Sequence, residues 1–219
     1  MNFFGHALIA QRDEATRGPI RAEFVLGAML PDFATMLRAR PPYATLAALS
    51  AGVSFHHRTD DAFHGSNSFL EYSGRASRFL SERGVSRGTA RAVAHVGVEL
   101  LLDAALAGES GANEAYLSAI DCATTVQVHG FIHWQTSEAS ERFRRLCHDL
   151  QQRGRFQENP ESELVAERLR RILADRPRLA MDDHGLSVVR EWVESARSQI
   201  TSGAPELLRE VERRLQIAR

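Results

Sequence analysis

Polar residues recur at intervals of four inside segments that are otherwise rich in apolar residues. His56, Asp60 and His64 have this spacing in one segment, and His95 and Glu99 have it in the later segment AVAHVGVELLLDAAL. Residues four apart lie on the same face of an α-helix. Burying an imidazole or a carboxylate among apolar groups is costly unless a partner satisfies it. The spacing therefore predicts helices whose polar side chains meet at a shared interior site.

The rest of the chain also has helical periodicity, and no segment of the sequence alternates polar and apolar residues as a strand does. We therefore expect an all-α fold, a single-domain helical bundle over residues 1–219. Residues 1–108 would form the half that carries the polar site, and the helices of residues 112–219 would pack against it. The expected later helices are 69–82, 87–108, 113–135, 137–153, 160–175, 184–201 and 204–217.

Prolines and glycines divide the first part of the chain. An apolar segment begins at Phe3 and ends at the charged run QRDEATRG, after which Pro19 opens a second helix. Pro31 is expected to stop or kink that helix and to leave Asp32 at the break. The pair Pro41-Pro42 is expected to open a third helix, TLAALSAGVSFHHRTDDAFH. Ser86 is the expected N-cap of the helix that contains His95.

Composition excludes several classes of protein. Apolar residues make up 43% of the 219, which suffices for a substantial core, and the net charge is −1. No basic surface for nucleic acid or an anionic membrane is therefore expected. All 27 basic residues are arginine, so the printed sequence offers no lysine for a Schiff base or a phosphate-binding loop. Glycine-rich phosphate loops, nucleophile elbows and HExxH motifs are also absent from the sequence.

The two cysteines and the N-terminal sequence indicate a reduced, cytoplasmic setting. Cys122 and Cys147 are too few for a disulfide framework and lack the spacing of a metal finger. The start, MNFFGHALIAQRDE, has neither the basic nor the apolar region of a signal peptide. No stretch approaches the length of roughly 20 apolar residues that spans a membrane.

Two further polar residues interrupt apolar runs upstream. His6 lies in FFGHALIA and Asp32 lies in LGAMLPDFA. Together with the five residues at four-residue spacing, they make seven groups that could bind one or two divalent ions, in an arrangement suited to hydrolysis. The predicted metal ligands are therefore His6, Asp32, His56, Asp60, His64, His95 and Glu99.

Spacing leaves several alternatives open. His57 and Asp61 form an equally good pair, rotated by about 100° around the same helix. His95 and Glu99 could simply hydrogen-bond to each other. Asp103, one turn further on, is most simply a polar residue near a helix end.

Two more histidines also have the four-residue spacing. His129 and His133 in VQVHGFIHWQ could border a pocket or supply an extra ligand. We interpret them instead as core or interface residues.

The order of these motifs resembles the acyl carrier protein phosphodiesterase family, a divergent helical branch of the HD-type metal phosphohydrolases. That family begins with MNFLAH, which MNFFGHAL matches at His6, and continues to an Asp-Phe pair, which LGAMLPDF matches at Asp32. Its central motif, approximately AG-x3-H-R-R-I-D-x3-D, aligns without a gap with AGVSFHHRTDDAFH. The alignment places His56 and Asp60 on motif positions and so favours them over His57 and Asp61. RPRL, from Arg176 to Leu179, also recurs in that family.

The resemblance covers most of the chain but is strong only over the first 65 residues. His64, His95 and Glu99 stand where the family has Asp, and Leu100 stands where it has His. Imidazole in place of carboxylate shifts the expected ion from manganese or magnesium towards zinc or iron. The expected cofactor is therefore a divalent metal, Mn, Zn or Fe, with one or two ions.

The resemblance implies an HD-like metal-dependent phosphodiesterase, a phosphoric ester hydrolase. Asp60 and Glu99 are candidate catalytic proton acceptors. Arg58 is a candidate phosphate clamp, because guanidinium pairs with two phosphate oxygens.

The substrate that the resemblance implies is holo-acyl carrier protein, from which phosphopantetheine would be released. The Arg-rich segment ERFRRLCHDLQQRGR could bind such an acidic partner. One alternative is a hydrolase of another phosphodiester, similar to the zinc phospholipase C and nuclease group. Another is a non-catalytic metal-binding helical protein, which Leu100 at a family His position would favour.

Overall fold

The computed structural model describes residues 1–158 and 160–216, which form ten helices and one two-stranded sheet. The expected all-α class is confirmed. The helices are α1 Phe3–Ala15, α2 Ala22–Met36, α3 Ala47–His64, α4 Asn67–Glu82, α5 Arg87–Leu106, α6 Ala112–Thr124, α7 Val126–His129, α8 Ser137–Arg153, α9 Ser162–Leu173 and α10 Asp183–Leu215. The strands are β1 Tyr43–Ala44 and β2 Ile132–His133, which pair antiparallel.

The chain divides into two compact units. Unit 1 comprises Met1–Ala62 and Ala107–Phe156, together with residues 212–216. Unit 2 comprises Phe63–Leu106 and Gln157–Val211. Among the described residues, no helix combines the length and the apolar character that crossing a bilayer requires.

Unit 1 is built around the packing of α1, α2, α6 and α8. Its core is rich in aromatic rings, since Phe3 lies 5.4 Å from Phe33 and 6.1 Å from Tyr116 between ring centroids. Phe4 stacks on Phe156 at 4.5 Å. Rings of this size bury large apolar areas, so they account for much of the stability of the unit.

Unit 2 is built around α5, which packs against α4 and α9. Gly97 on α5 faces the indole of Trp192 so closely that a Cβ there would lie 2.5 Å from the ring. Ser86 accepts a hydrogen bond from the backbone N–H of Thr89, as an N-cap does. The predicted cap of α5 is therefore confirmed.

Five details of the predicted elements were wrong. The predicted helix 113–135 is instead α6, which ends at Thr124, followed by the short α7 and by β2. Pro31 neither ends α2 nor leaves Asp32 at a break, because the helix continues through both residues to Met36. The predicted pair of final helices is one helix, α10, with Pro205 inside it. After Pro41-Pro42 the chain first forms β1, and the third helix begins at Ala47. The sequence pattern did not predict β1 and β2, since strands of two residues are too short to alternate visibly.

The charged run after the first apolar segment is helical rather than a break. The helix α1 continues to Ala15, and both Asp13 and Glu14 are buried. The guanidinium of Arg17 donates to Asp13 at 2.8 Å, and Arg21 donates to Glu14 from Nε and Nη2 at 2.7 Å each. Arg17 from the run and Arg21 beyond it thus pair with these two acids, which lowers the cost of burying them at the helix end.

Candidate metal centre

Three of the predicted ligands meet in unit 1. His6 on α1 and His56 and Asp60 on α3 form a group that we name the His6 triad. Nε2 of His6 lies 3.1 Å from Oδ1 of Asp60, and Nε2 of His56 lies 3.7 Å from Oδ2 of Asp60. The two imidazoles stack with centroids 3.9 Å apart, and both histidines are buried.

A fourth predicted ligand lies beside this triad. Asp32 on α2 places Oδ2 at 3.9 Å from Nε2 of His6. The amino group of Met1 also approaches the triad, at 3.4 Å from Oδ1 of Asp60. Three helices of unit 1 thus bring two imidazoles and two carboxylates together.

A backbone carbonyl orients His56. Nδ1 of His56 lies 2.8 Å from the carbonyl oxygen of Ala28 on α2. A carbonyl oxygen can only accept, so Nδ1 carries the proton and donates it. The other ring nitrogen, Nε2, therefore keeps its lone pair on the side of Asp60. Imidazoles that bind metals commonly make this hydrogen bond to a carbonyl or a carboxylate.

The electrostatics of His56 and Asp60 match what metal ligands need. Burial, with a smaller contribution from His6, lowers the pKa of His56 to about 3, so its imidazole is neutral near pH 7. Burial raises the pKa of Asp60, but the hydrogen bond from His6 and nearby positive charge outweigh it and hold that pKa well below its ordinary value. A neutral imidazole and an ionised carboxylate are the forms that coordinate a cation.

The remaining three predicted ligands meet in unit 2. His64 at the end of α3 and His95 and Glu99 on α5 form the group that we name the His64 triad. Both imidazoles point Nε2 at the same oxygen of Glu99, from 3.1 Å for His64 and 3.3 Å for His95. The two rings stack at 4.8 Å.

The His64 triad is more open to solvent than the His6 triad. The side chain of His95 is 49% exposed and that of His64 is 34% exposed, while that of Glu99 is 14% exposed. Burial raises the pKa of Glu99, but the hydrogen bonds from His64 and His95 outweigh it, and the pKa lies well below its ordinary value. Phe69 packs edge-on against both imidazoles, with centroids at 5.1 and 5.3 Å.

The spacing of these atoms fits a divalent ion. With metal–ligand bonds of about 2.0–2.2 Å, two ligand atoms lie about 3.3–3.6 Å apart at a tetrahedral angle and about 2.8–3.1 Å apart at a right angle. The observed separations of 3.1 and 3.3 Å in the His64 triad fall within these ranges. In the His6 triad, the distance of 3.1 Å from Nε2 of His6 to Asp60 lies within these ranges. The distance of 3.7 Å from Nε2 of His56 to Asp60 is longer than the upper limit by only about 0.1 Å.

The two candidate pairs on α3 have different surroundings in the structure. His57 and Asp61 are exposed, whereas His56 and Asp60 face His6. Arg58 is also exposed, and its guanidinium lies over the ring of Phe55 at 5.2 Å. Its role as a phosphate clamp stays a prediction.

Other candidate residues have ordinary structural partners. The ring of His133 stacks on that of Tyr43 at 4.5 Å, and its Nε2 lies 3.2 Å from the hydroxyl of Thr45. His129 packs edge-on against Phe143 at 6.0 Å. Asp103 is fully buried, which the prediction of a polar residue at a helix end did not anticipate.

The orienting groups could not be found from the sequence. Ala28 acts through its carbonyl, which every residue has, so no side-chain signal marks it. Phe69 has the apolar character of any core residue. That all seven predicted ligands share one cavity stays a prediction; within each unit the described contacts join His6, Asp32, His56 and Asp60, and separately His64, His95 and Glu99.

Comparisons with protein-family models, with curated proteins and with solved structures find no match to this chain. The resemblance to the acyl carrier protein phosphodiesterases and the HD-like fold thus rest on the motifs quoted above.

Proposed function

We propose that this protein is a metal-dependent hydrolase of phosphoric esters, acting on a phosphodiester. One observation carries the proposal: each unit presents two imidazoles and a carboxylate whose ligand atoms all lie within 4.8 Å of one another. Structural zinc sites usually close the metal with four protein ligands, whereas catalytic sites keep three and leave a position for water or substrate.

The residues of the His6 triad would hold one ion, with Asp32 near enough to join them, and those of the His64 triad would hold another. A bound divalent ion supplies an activated water and polarises a phosphoryl oxygen. The mixed imidazole and carboxylate set favours zinc or iron over magnesium. The low pKa of Asp60 and of Glu99 makes each a good metal ligand and a weak proton acceptor. This favours the ligand role of both residues over a role as the catalytic base.

The choice of a phosphoric ester comes from the motif resemblance over the first 65 residues. The resemblance gives Arg58 as the phosphate ligand, but Arg58 is two residues from both His56 and Asp60 and so lies on the opposite side of α3 from them. The helix geometry therefore adds no support to that role. If the carrier-protein substrate of the resembled family applies, the exposed arginines Arg144 and Arg145 of α8 would contact that acidic partner.

The test compares two variants on one helix. Metal-free protein is reconstituted with zinc, manganese or iron(II), and its metal content and its turnover of bis-p-nitrophenyl phosphate are measured. Asp60→Asn should lose one ion and reduce turnover by more than the roughly 10- to 100-fold that loss of an orienting partner costs. Asp61→Asn is the matched control, because Asp61 is one residue away and exposed.

The proposal fails if wild-type protein carries metal and cleaves no phosphoester, since that result would identify a non-catalytic metal-binding protein. Equal turnover in the two variants would also contradict it. Release of phosphopantetheine from holo-acyl carrier protein, compared with cleavage of an unrelated phosphodiester, would then identify the substrate class.

A further inference from the structure

Two glycines allow α2 and α3 to touch backbone to backbone. A Cβ on Gly52 would lie 2.8 Å from Cα of Gly27 and 2.9 Å from the backbone nitrogen of Ala28, and it would overlap the carbonyl oxygen of Phe24. A Cβ on Gly27 would overlap the carbonyl oxygen of Leu49 and lie 3.0 Å from Cα of Gly52. Neither position can accept a side chain unless the helices separate.

This contact lies next to the hydrogen bond that orients His56. Ala28 follows Gly27 on α2, and His56 lies one turn after Gly52 on α3. The distance of 2.8 Å from Nδ1 of His56 to the carbonyl oxygen of Ala28 therefore depends on how closely the two helices approach. Carbon atoms in contact prefer a separation of about 3.5–4.0 Å, so a methyl group on Gly52 requires the helices to move apart by about 1 Å. A shift of that size would lengthen the hydrogen bond beyond its useful range.

We infer that Gly27 and Gly52 are positioning residues of the His6 triad, which hold His56 in the tautomer whose Nε2 lone pair faces Asp60. This role rests on the proposed metal centre. It adds that the close contact of the two glycines keeps His56 in the tautomer that can bind metal. Without the carbonyl of Ala28 at hydrogen-bonding distance, the imidazole can carry its proton on Nε2 instead. In that form Nε2 has no lone pair for a cation.

A purely structural role for the glycines makes a different prediction. Helix packing alone would cost stability when Gly52 is substituted, but it would leave the proton of His56 on the same nitrogen. The tautomer of His56 and the affinity for metal therefore separate a positioning role from a packing role.

The experiment uses the full chain labelled with nitrogen-15 and stripped of metal, above pH 8 so that imidazoles are neutral. Long-range proton–nitrogen correlation spectra report which ring nitrogen of each of the nine histidines is protonated. The signals of His56 are identified by their absence in His56→Gln. Gly52→Ala is compared with Gly74→Ala, because a Cβ on helical Gly74 meets no atom within 4 Å.

In wild type and in Gly74→Ala, we expect His56 to be protonated at Nδ1 alone. In Gly52→Ala, we expect a mixture of tautomers and a zinc affinity about 10- to 100-fold weaker in competition with a chromophoric chelator. A folded Gly52→Ala protein with the wild-type tautomer and affinity would overturn the inference.

If Gly52→Ala does not fold, Gly27→Ala is compared in its place with the same expected changes in tautomer and zinc affinity, because a Cβ there also forces the helices apart. Protonation of wild-type His56 at Nε2 would overturn the inference whichever variant folds. The tautomer is measured in metal-free protein, so this result does not depend on whether the wild type binds metal. Metal binding by the wild type separately tests the proposed function.

Discussion

Metal should stabilise this protein against unfolding, and His56→Ala should remove about half of that effect. A ligand that binds only the folded state at one hundred times its Kd adds about 2.7 kcal/mol to the free energy of unfolding per site. Two triads, each with three ligands, would add about 5.4 kcal/mol at a metal concentration one hundredfold above both Kd values. In His56→Ala the His6 triad is broken and the His64 triad is intact, so about 2.7 kcal/mol should remain.

The assay is thermal unfolding of each variant with and without zinc. For a chain of 150–250 residues, 1 kcal/mol corresponds to about 2–4 °C in Tm, so the loss of one site should reduce the zinc-dependent shift by about 5–11 °C. His56 is buried, and replacing it will also destabilise the metal-free fold. That cost cancels, because the shift is measured between two states of the same variant.

His57→Ala is the control for this prediction, since His57 neighbours His56 and is exposed. It should retain the full zinc-dependent shift. Equal shifts in His56→Ala and His57→Ala would refute the assignment of ligands on α3. An absence of any shift in the wild type would refute metal binding by both triads.

Three further predictions concern residues outside the two triads. Arg21→Ala should cost about 1–3 kcal/mol, because it leaves the buried carboxylate of Glu14 without its main donor while Arg21 is itself half exposed. The hydrogen bond from Arg21 holds the pKa of Glu14 below its ordinary 4.5, so this stability is present above that pH and is lost as the pH falls through the lowered pKa. The difference in free energy of unfolding between wild type and Arg21→Ala, measured in urea, should therefore become smaller at low pH. Burial raises the pKa of Cys122 to about 11 and that of Cys147 to about 12, so Ellman's reagent should modify neither thiol before unfolding. Gly74→Ala should raise the free energy of unfolding by about 0.5–1 kcal/mol, measured in the same way, because its Cβ enters open space inside a helix.

Several helices could be predicted because their signals are local. The expected helix 137–153 coincides with α8, which has Thr136 as its N-cap and Gly154 at its end. A capping hydroxyl and a glycine with positive φ are properties of single residues, so the sequence shows them directly.

Other elements could not be predicted because neighbours in space outweigh local preference. Pro31 would break an isolated helix. In this protein most of α2 is buried, and the helix continues past Pro31 because packing against its neighbours stabilises it. From the sequence, Asp13 and Glu14 were expected to end the first helix. In the structure they pair with Arg17 and Arg21, which favours their burial.

The amino-acid sequence was enough to predict that this chain is helical and that its imidazoles and carboxylates lie one turn apart, because a period of 3.6 residues is a property of the local backbone. Spacing alone left the pair of His56 and Asp60 equivalent to that of His57 and Asp61, and the motif resemblance favoured the first pair. The tertiary structure adds that His6 and the carbonyl of Ala28 contact His56 and Asp60 on their face of α3. Contacts between residues far apart in the chain depend on how closely helices approach, and spacing along one helix does not contain that information.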